Sequence, residues 1–109
     1  DQIRDCQMLI DGDWVAASDG ATFDSVSPIS GKPWARIPEA TGTDVDRAVR
    51  AADRAFIGTM GQHDPQPRGK CLRKLGDLLA EKSEELGRAE TVDTGKMLKC
   101  QNLDNFDFT

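Results

Sequence analysis

The side chains able to do chemistry in this chain are few and scattered: one histidine, His63, three cysteines, Cys6, Cys71 and Cys100, and Gly-Lys pairs at Gly31-Lys32, Gly69-Lys70 and Gly95-Lys96. His63 sits among Gly, Asp and Pro with no second histidine to share a metal, which reads as an exposed loop residue and not a general base. A phosphate-binding loop needs a glycine five positions ahead of its Gly-Lys pair and a Ser or Thr after it to hold magnesium. For Gly95-Lys96 those positions are Glu90 and Met97, and the other two pairs fail in the same way. No Gly-x-Gly-x-x-Gly occurs, so the dinucleotide fingerprint is missing as well. Cys71 falls on an apolar helical face, where a thiol behaves as a small hydrophobe. Cys6 and Cys100 lack the histidine or cation cluster that would activate them. By residue chemistry alone, the chain has no recognisable catalytic centre.

The elements that would position any site are easier to read. Met8 to Val15 forms two short extended pieces on either side of Asp11-Gly12, a favoured hairpin turn. Thr22 to Val26 is a second extended run, Pro28 to Lys32 turns the chain, and Trp34 to Ile37 is extended up to Pro38. These pieces predict a small antiparallel β-meander over residues 8–38, marginal unless a helix covers it. Thr43 has the properties of a helix N-cap, with Asp44 and Asp46 in the positive first turn. Val45, Ala48, Val49, Ala52, Ala55 and Phe56 follow at helical spacing, and Gly58 is the expected left-handed stop.

Asp64-Pro65 restarts a helix, with Pro67 inside its first turn unless the helix begins later. Cys71, Leu72, Leu75, Leu78, Leu79, Leu86, Ala89 and Val92 then give the longest unbroken apolar periodicity in the chain. Near Lys82 the motif Ser83-Glu84-Glu85 looks like a fresh cap, so a third helix runs to Asp93, angled to the second or continuous with it, and Thr94-Gly95 ends it. Residues 43–96 are thus a helical segment, and residues 97–109 a frayed tail without capping logic. Fully burying Leu72, Leu75, Leu78 and Leu79 would contribute roughly 1.5–3 kcal/mol each, against a cost of about 1–2 kcal/mol for every backbone residue fixed. The stripe needs a docking surface, either from earlier in the chain or from protein outside it.

Composition narrows the class. The 109 residues suffice for one small domain, and 38% hydrophobic with 30% charged residues is a globular balance, though 6% aromatics makes for a thin core. A net charge of −5 argues against a protein that binds nucleic acid by neutralising phosphates. Arg47, Arg50 and Arg54, at helical spacing, read as a solvated face. No apolar run approaches membrane-spanning length, and no signal peptide opens the chain. The odd number of widely spaced cysteines suits reduced thiols, so the expected setting is the cytoplasm. The first residue is Asp1 and not Met, so the sequence is either processed or a piece of something longer.

The order of the motifs is more telling than any one of them. Met8 to Val15 is followed by Thr22-Phe23-Asp24-Ser25-Val26, by the turn Ser27-Pro28-Ile29-Ser30-Gly31-Lys32, and by Ile37-Pro38-Glu39-Ala40-Thr41. The helix start Asp44-Val45-Asp46-Arg47-Ala48-Val49 leads to Ala55-Phe56, Arg68-Gly69-Lys70 opens the leucine helix, and Glu90-Thr91-Val92-Asp93-Thr94-Gly95-Lys96 closes the series. From Met8 to Leu98 this order strongly resembles the amino-terminal part of the aldehyde dehydrogenase superfamily.

The resemblance implies an α+β chain, short antiparallel β-strands followed by about three α-helices, that forms a single partial domain of a larger α/β enzyme. Such enzymes oxidise aldehydes to carboxylic acids with NAD or NADP: a cysteine thiolate attacks the carbonyl, hydride passes to the nicotinamide, and a glutamate base assists hydrolysis of the thioester. In the family those residues lie downstream of the matched stretch, so no catalytic or cofactor-binding residue is carried over, and this chain alone is expected to be inactive. Its expected partners are the remainder of the enzyme or a homologous subunit within a homo-oligomer.

One family feature does transfer as an expectation, a structural monovalent cation held by main-chain carbonyls of Ser25 and Val26 and by the carboxylate of Asp93. The alternative is that Asp93 merely ends a helix and hydrogen-bonds the following turn. The tail Cys100 to Thr109 departs from the long helix the family usually has there. A freestanding, non-catalytic interaction module remains the alternative reading of the whole.

Overall fold

The computed structural model of the chain describes residues 2–61 and 64–97. His63, Cys100 and residues 98–109 of the tail lie outside the described residues. The order is five strands, β1 (Arg4–Asp5), β2 (Met8–Ile10), β3 (Asp13–Val15), β4 (Thr22–Val26) and β5 (Pro33–Pro38), then three helices, α1 (Gly42–Ala55), α2 (Gln66–Glu81) and α3 (Ser83–Thr94).

Asp11 and Gly12 both take positive φ, 55° and 82°, the two-residue turn whose twist matches antiparallel strands, and Leu9 pairs with Trp14 across it. β4 pairs antiparallel with β5, Phe23 opposite Ile37, and the register slips between Ser25 and Val26. The strands do not make one meander. β2 and β3 form a sheet of their own, while β5 is the centre of a three-stranded sheet in the order β1-β5-β4, with β1 parallel to it. The connection after β3 explains the break. Ala17 is buried, and the Ser18 amide donates to Asp44 Oδ2 at 3.0 Å, so the chain is pinned to the start of α1 and cannot run on beside β3.

α1 starts earlier than a Thr43 cap would allow. Thr41 is the N-cap: its hydroxyl accepts from the Asp44 amide at 3.2 Å, and Asp44 Oδ2 accepts from the Thr41 amide at 3.0 Å, which satisfies two orphan amides reciprocally. Gly58 is not a left-handed stop either. Its φ is −81°, and the chain leaves α1 through a π-helical turn over Phe56–Met60. α2 begins later than an Asp64 cap would place it: Pro65 holds the N-cap position without a side-chain capping bond, Asp64 Oδ1 accepts from the Gln66 amide at 2.9 Å, and Pro67 lies in the first turn. At Lys82 the backbone breaks to φ −98°, ψ 12°, which separates α2 from α3; Lys82 takes the N-cap position, with no capping bond from Ser83. Glu84 and Glu85 do fill the first turn of α3. Gly95 ends it at φ 77°, where a Cβ would also meet Pro28 Cγ at 3.2 Å, so glycine is needed twice over.

Burial is confined to one part of the chain. Among the described hydrophobic residues only Ile10, Ala17 and Ala35 are fully buried, all in or beside the strands. No residue of α2 is buried, and α2 packs appreciably only on α3 among the described elements. Its face includes Leu72 at 68% exposed and Leu75 at 51%. The radius of gyration is 17.1 Å, whereas a compact domain of this length would have about 13 Å. Among the described residues, no earlier element covers Leu72 or Leu75 of the stripe.

Candidate functional site

The side chains that tie distant parts of the chain together converge on two aspartates. Asp93, in the last turn of α3, accepts from Ser25 Oγ on β4 at 2.5 Å and from Trp34 Nε1 on β5 at 3.0 Å, both on Oδ1. These donors, Ser25 first and Trp34 second, hold the Asp93 carboxyl below the ordinary carboxylate range, so it is anionic at neutral pH. Arg4 on β1 reaches Glu85 on α3 at 3.8 Å, and Gly95 packs beside Pro28, so these four contacts together dock α3 on the three-stranded sheet.

Asp44 is the second junction. Its Oδ2 accepts from the Ser18 and Thr41 amides at 3.0 Å each, from Thr41 Oγ1 at 3.0 Å and from Ser18 Oγ at 3.3 Å. The Ser18 and Thr41 amides lead in stabilising the anion, the hydroxyls add to them, and the pKa falls to about 2. Only 1% of the residue is exposed. Oδ1 is buried without a hydrogen bond among the described residues, and the guanidinium of Arg47 lies 3.9 Å away as its countercharge.

Of the residues singled out for a cation, Ser25 and Asp93 are thus brought together across 68 positions of sequence, and Val26 follows Ser25 on β4 just past the register slip. Among the described residues, Asp93 bonds Ser25 and Trp34 and not the turn that follows it. Trp34 was missed as the second donor because no local pattern connects it to Asp93, although an indole N–H regularly seeks an acceptor. Asp44 as a junction was legible in part, since Thr41-x-x-Asp44 has the spacing of a reciprocal cap.

Beside the Asp93 junction, Gln2, Ile3, Ser27, Lys32, Trp34 and Val92 border an open recess of about 630 Å³. None of the described residues on its walls carries a carboxylate, thiol or imidazole. Cys6 is half-buried near Arg4 and Cys71 is exposed. No group of three or more His, Cys, Asp or Glu side chains among the described residues could hold a metal, and no described helix is long and apolar enough to cross a membrane. Among the described residues the geometry therefore supplies junctions and uncovered apolar faces.

Comparison with known proteins gives these features a context. The model of the aldehyde dehydrogenase family matches residues 14–105. An aldehyde dehydrogenase of Aspergillus niger is 42% identical over 97 residues, 89% of this chain and 20% of the relative. Among solved structures, an NAD-dependent aldehyde dehydrogenase from Sinorhizobium meliloti superposes with a TM-score of 0.85 at 34% identity, covering 92% of this chain and 20% of that one. A betaine aldehyde dehydrogenase from Staphylococcus aureus, solved with NAD+, gives 0.81 at 38% identity, covering 87% and 19%. The chain spans about a fifth of the length of the relatives it matches. Its short strands and three helices correspond to the amino-terminal region of their fold. Matched by the family model over most of its length, and by relatives in both sequence and backbone, this chain belongs to the aldehyde dehydrogenase family.

Proposed function

We propose that the chain serves as the amino-terminal portion of an NAD- or NADP-dependent aldehyde dehydrogenase, a single partial domain whose role is architectural. The observation that carries this reading is the exposed apolar surface: Val49, Phe56 and Ile57 at 62, 66 and 75% on α1 and the turn after it, together with the α2 leucines. Surface of this kind marks an interaction face, and relatives five times longer supply a body to cover it. A freestanding module would leave these side chains in water. The complete protein would oxidise an aldehyde to a carboxylic acid and reduce the nicotinamide, in a cytoplasmic homo-oligomer, with nucleophile, base and cofactor site outside these residues.

The reading frame beyond Thr109 tests this. It should encode a nucleophilic cysteine and a glutamate base, and its product should form reduced nicotinamide from an aldehyde while the 109-residue chain forms none. Turnover by the short chain, or a continuation lacking those residues, would overturn the proposal.

The same reading includes a structural monovalent cation at Ser25, Val26 and Asp93. Three features suit it. Asp93 is anionic, and both of its hydrogen bonds among the described residues fall on Oδ1, not on Oδ2. Val26 stands opposite Pro33, which has no N–H to donate across the strand pair. Carbonyl and carboxylate oxygens are the donors hard cations prefer. The remaining ligands would come from outside this chain. Melting the extended protein in potassium and in a bulky organic cation should give different midpoints, and Asp93→Asn should remove the difference. Equal midpoints for the unsubstituted protein would end the cation assignment and leave the architectural reading untouched.

A further inference from the structure

We draw no further inference here: the strongest candidate, the uncovered apolar face of α2 with the outward side of α1, carries nothing beyond the docking already proposed because nothing in the structure shows what else covers it.

Discussion

The strand half of this chain and its α2–α3 arm are held in opposite ways. In the strand half, the β2–β3 hairpin lies against α1, Arg54 of α1 reaches Asp11 at 3.0 Å, and Asp44 binds the connection at Ser18. Order there comes from buried hydrogen bonds and from Ile10, Ala17 and Ala35. α3 is fastened to the sheet through Asp93 in its last turn and through Glu85 in its first. α2 is a 16-residue helix with no buried residue, and isolated helices near that length are marginal in water. Its periodic leucines are therefore an instruction for packing that this chain does not complete. The contrast teaches that apolar periodicity specifies a helix face without specifying what lies against it.

The contrast can be broken most decisively by hydrogen exchange on the 109-residue chain. The amides of β4 and β5 should exchange more slowly than those of α2 by orders of magnitude; equal protection would mean that α2 finds cover within the chain. Ile10→Ala should cost about 2–5 kcal/mol in denaturant unfolding, toward the lower end because an open recess lies between it and Ala48 and Ala52 of α1. A loss as small as that of an exposed leucine would show that the strand half has no core.

Acid sharpens the comparison next. The folded-state pKa of Asp44 is about 2 against an ordinary 3.8, so its stabilising bonds are fully present above roughly pH 4 and are lost as pH falls toward 2. Unfolding of the strand half followed by circular dichroism should steepen over that window, and Asp44→Asn should flatten it. Asp93, also lowered, adds in the same direction at the α3 junction.

Thr41→Ala removes the cap of α1 and should cost about 0.5–2 kcal/mol, whereas Thr43→Ala should cost less; the reverse order in thermal melts would restore Thr43 as the cap. The smallest effect belongs to the arm. Leu75→Glu in the 109-residue chain should change stability by no more than about 0.5 kcal/mol, while the same substitution in the extended protein should lower its melting temperature clearly, read by calorimetry. A large loss in the short chain would show that Leu75 is already buried.

By itself, the sequence determined whatever depends on neighbours a few residues apart. Asp11-Gly12 favours a tight hairpin turn, Thr94-Gly95 ends a helix, and the lack of a Ser or Thr after each Gly-Lys pair and of a glycine five positions ahead of it rules out a phosphate loop. The order of such local features was enough to suggest the family. Tertiary structure decided what depends on groups far apart. Ser18 lies 26 positions from Asp44, and Trp34 lies 59 from Asp93, so neither bond leaves a periodic trace. Thr43 reads as the cap of α1 from its neighbours, and only the carboxylate of Asp44 reaching the Thr41 amide places the cap at Thr41. β1 joined β5 in parallel for the same reason: backbone groups pair with whatever strand edge the fold brings beside them, and only the assembled backbone determines which edge that is.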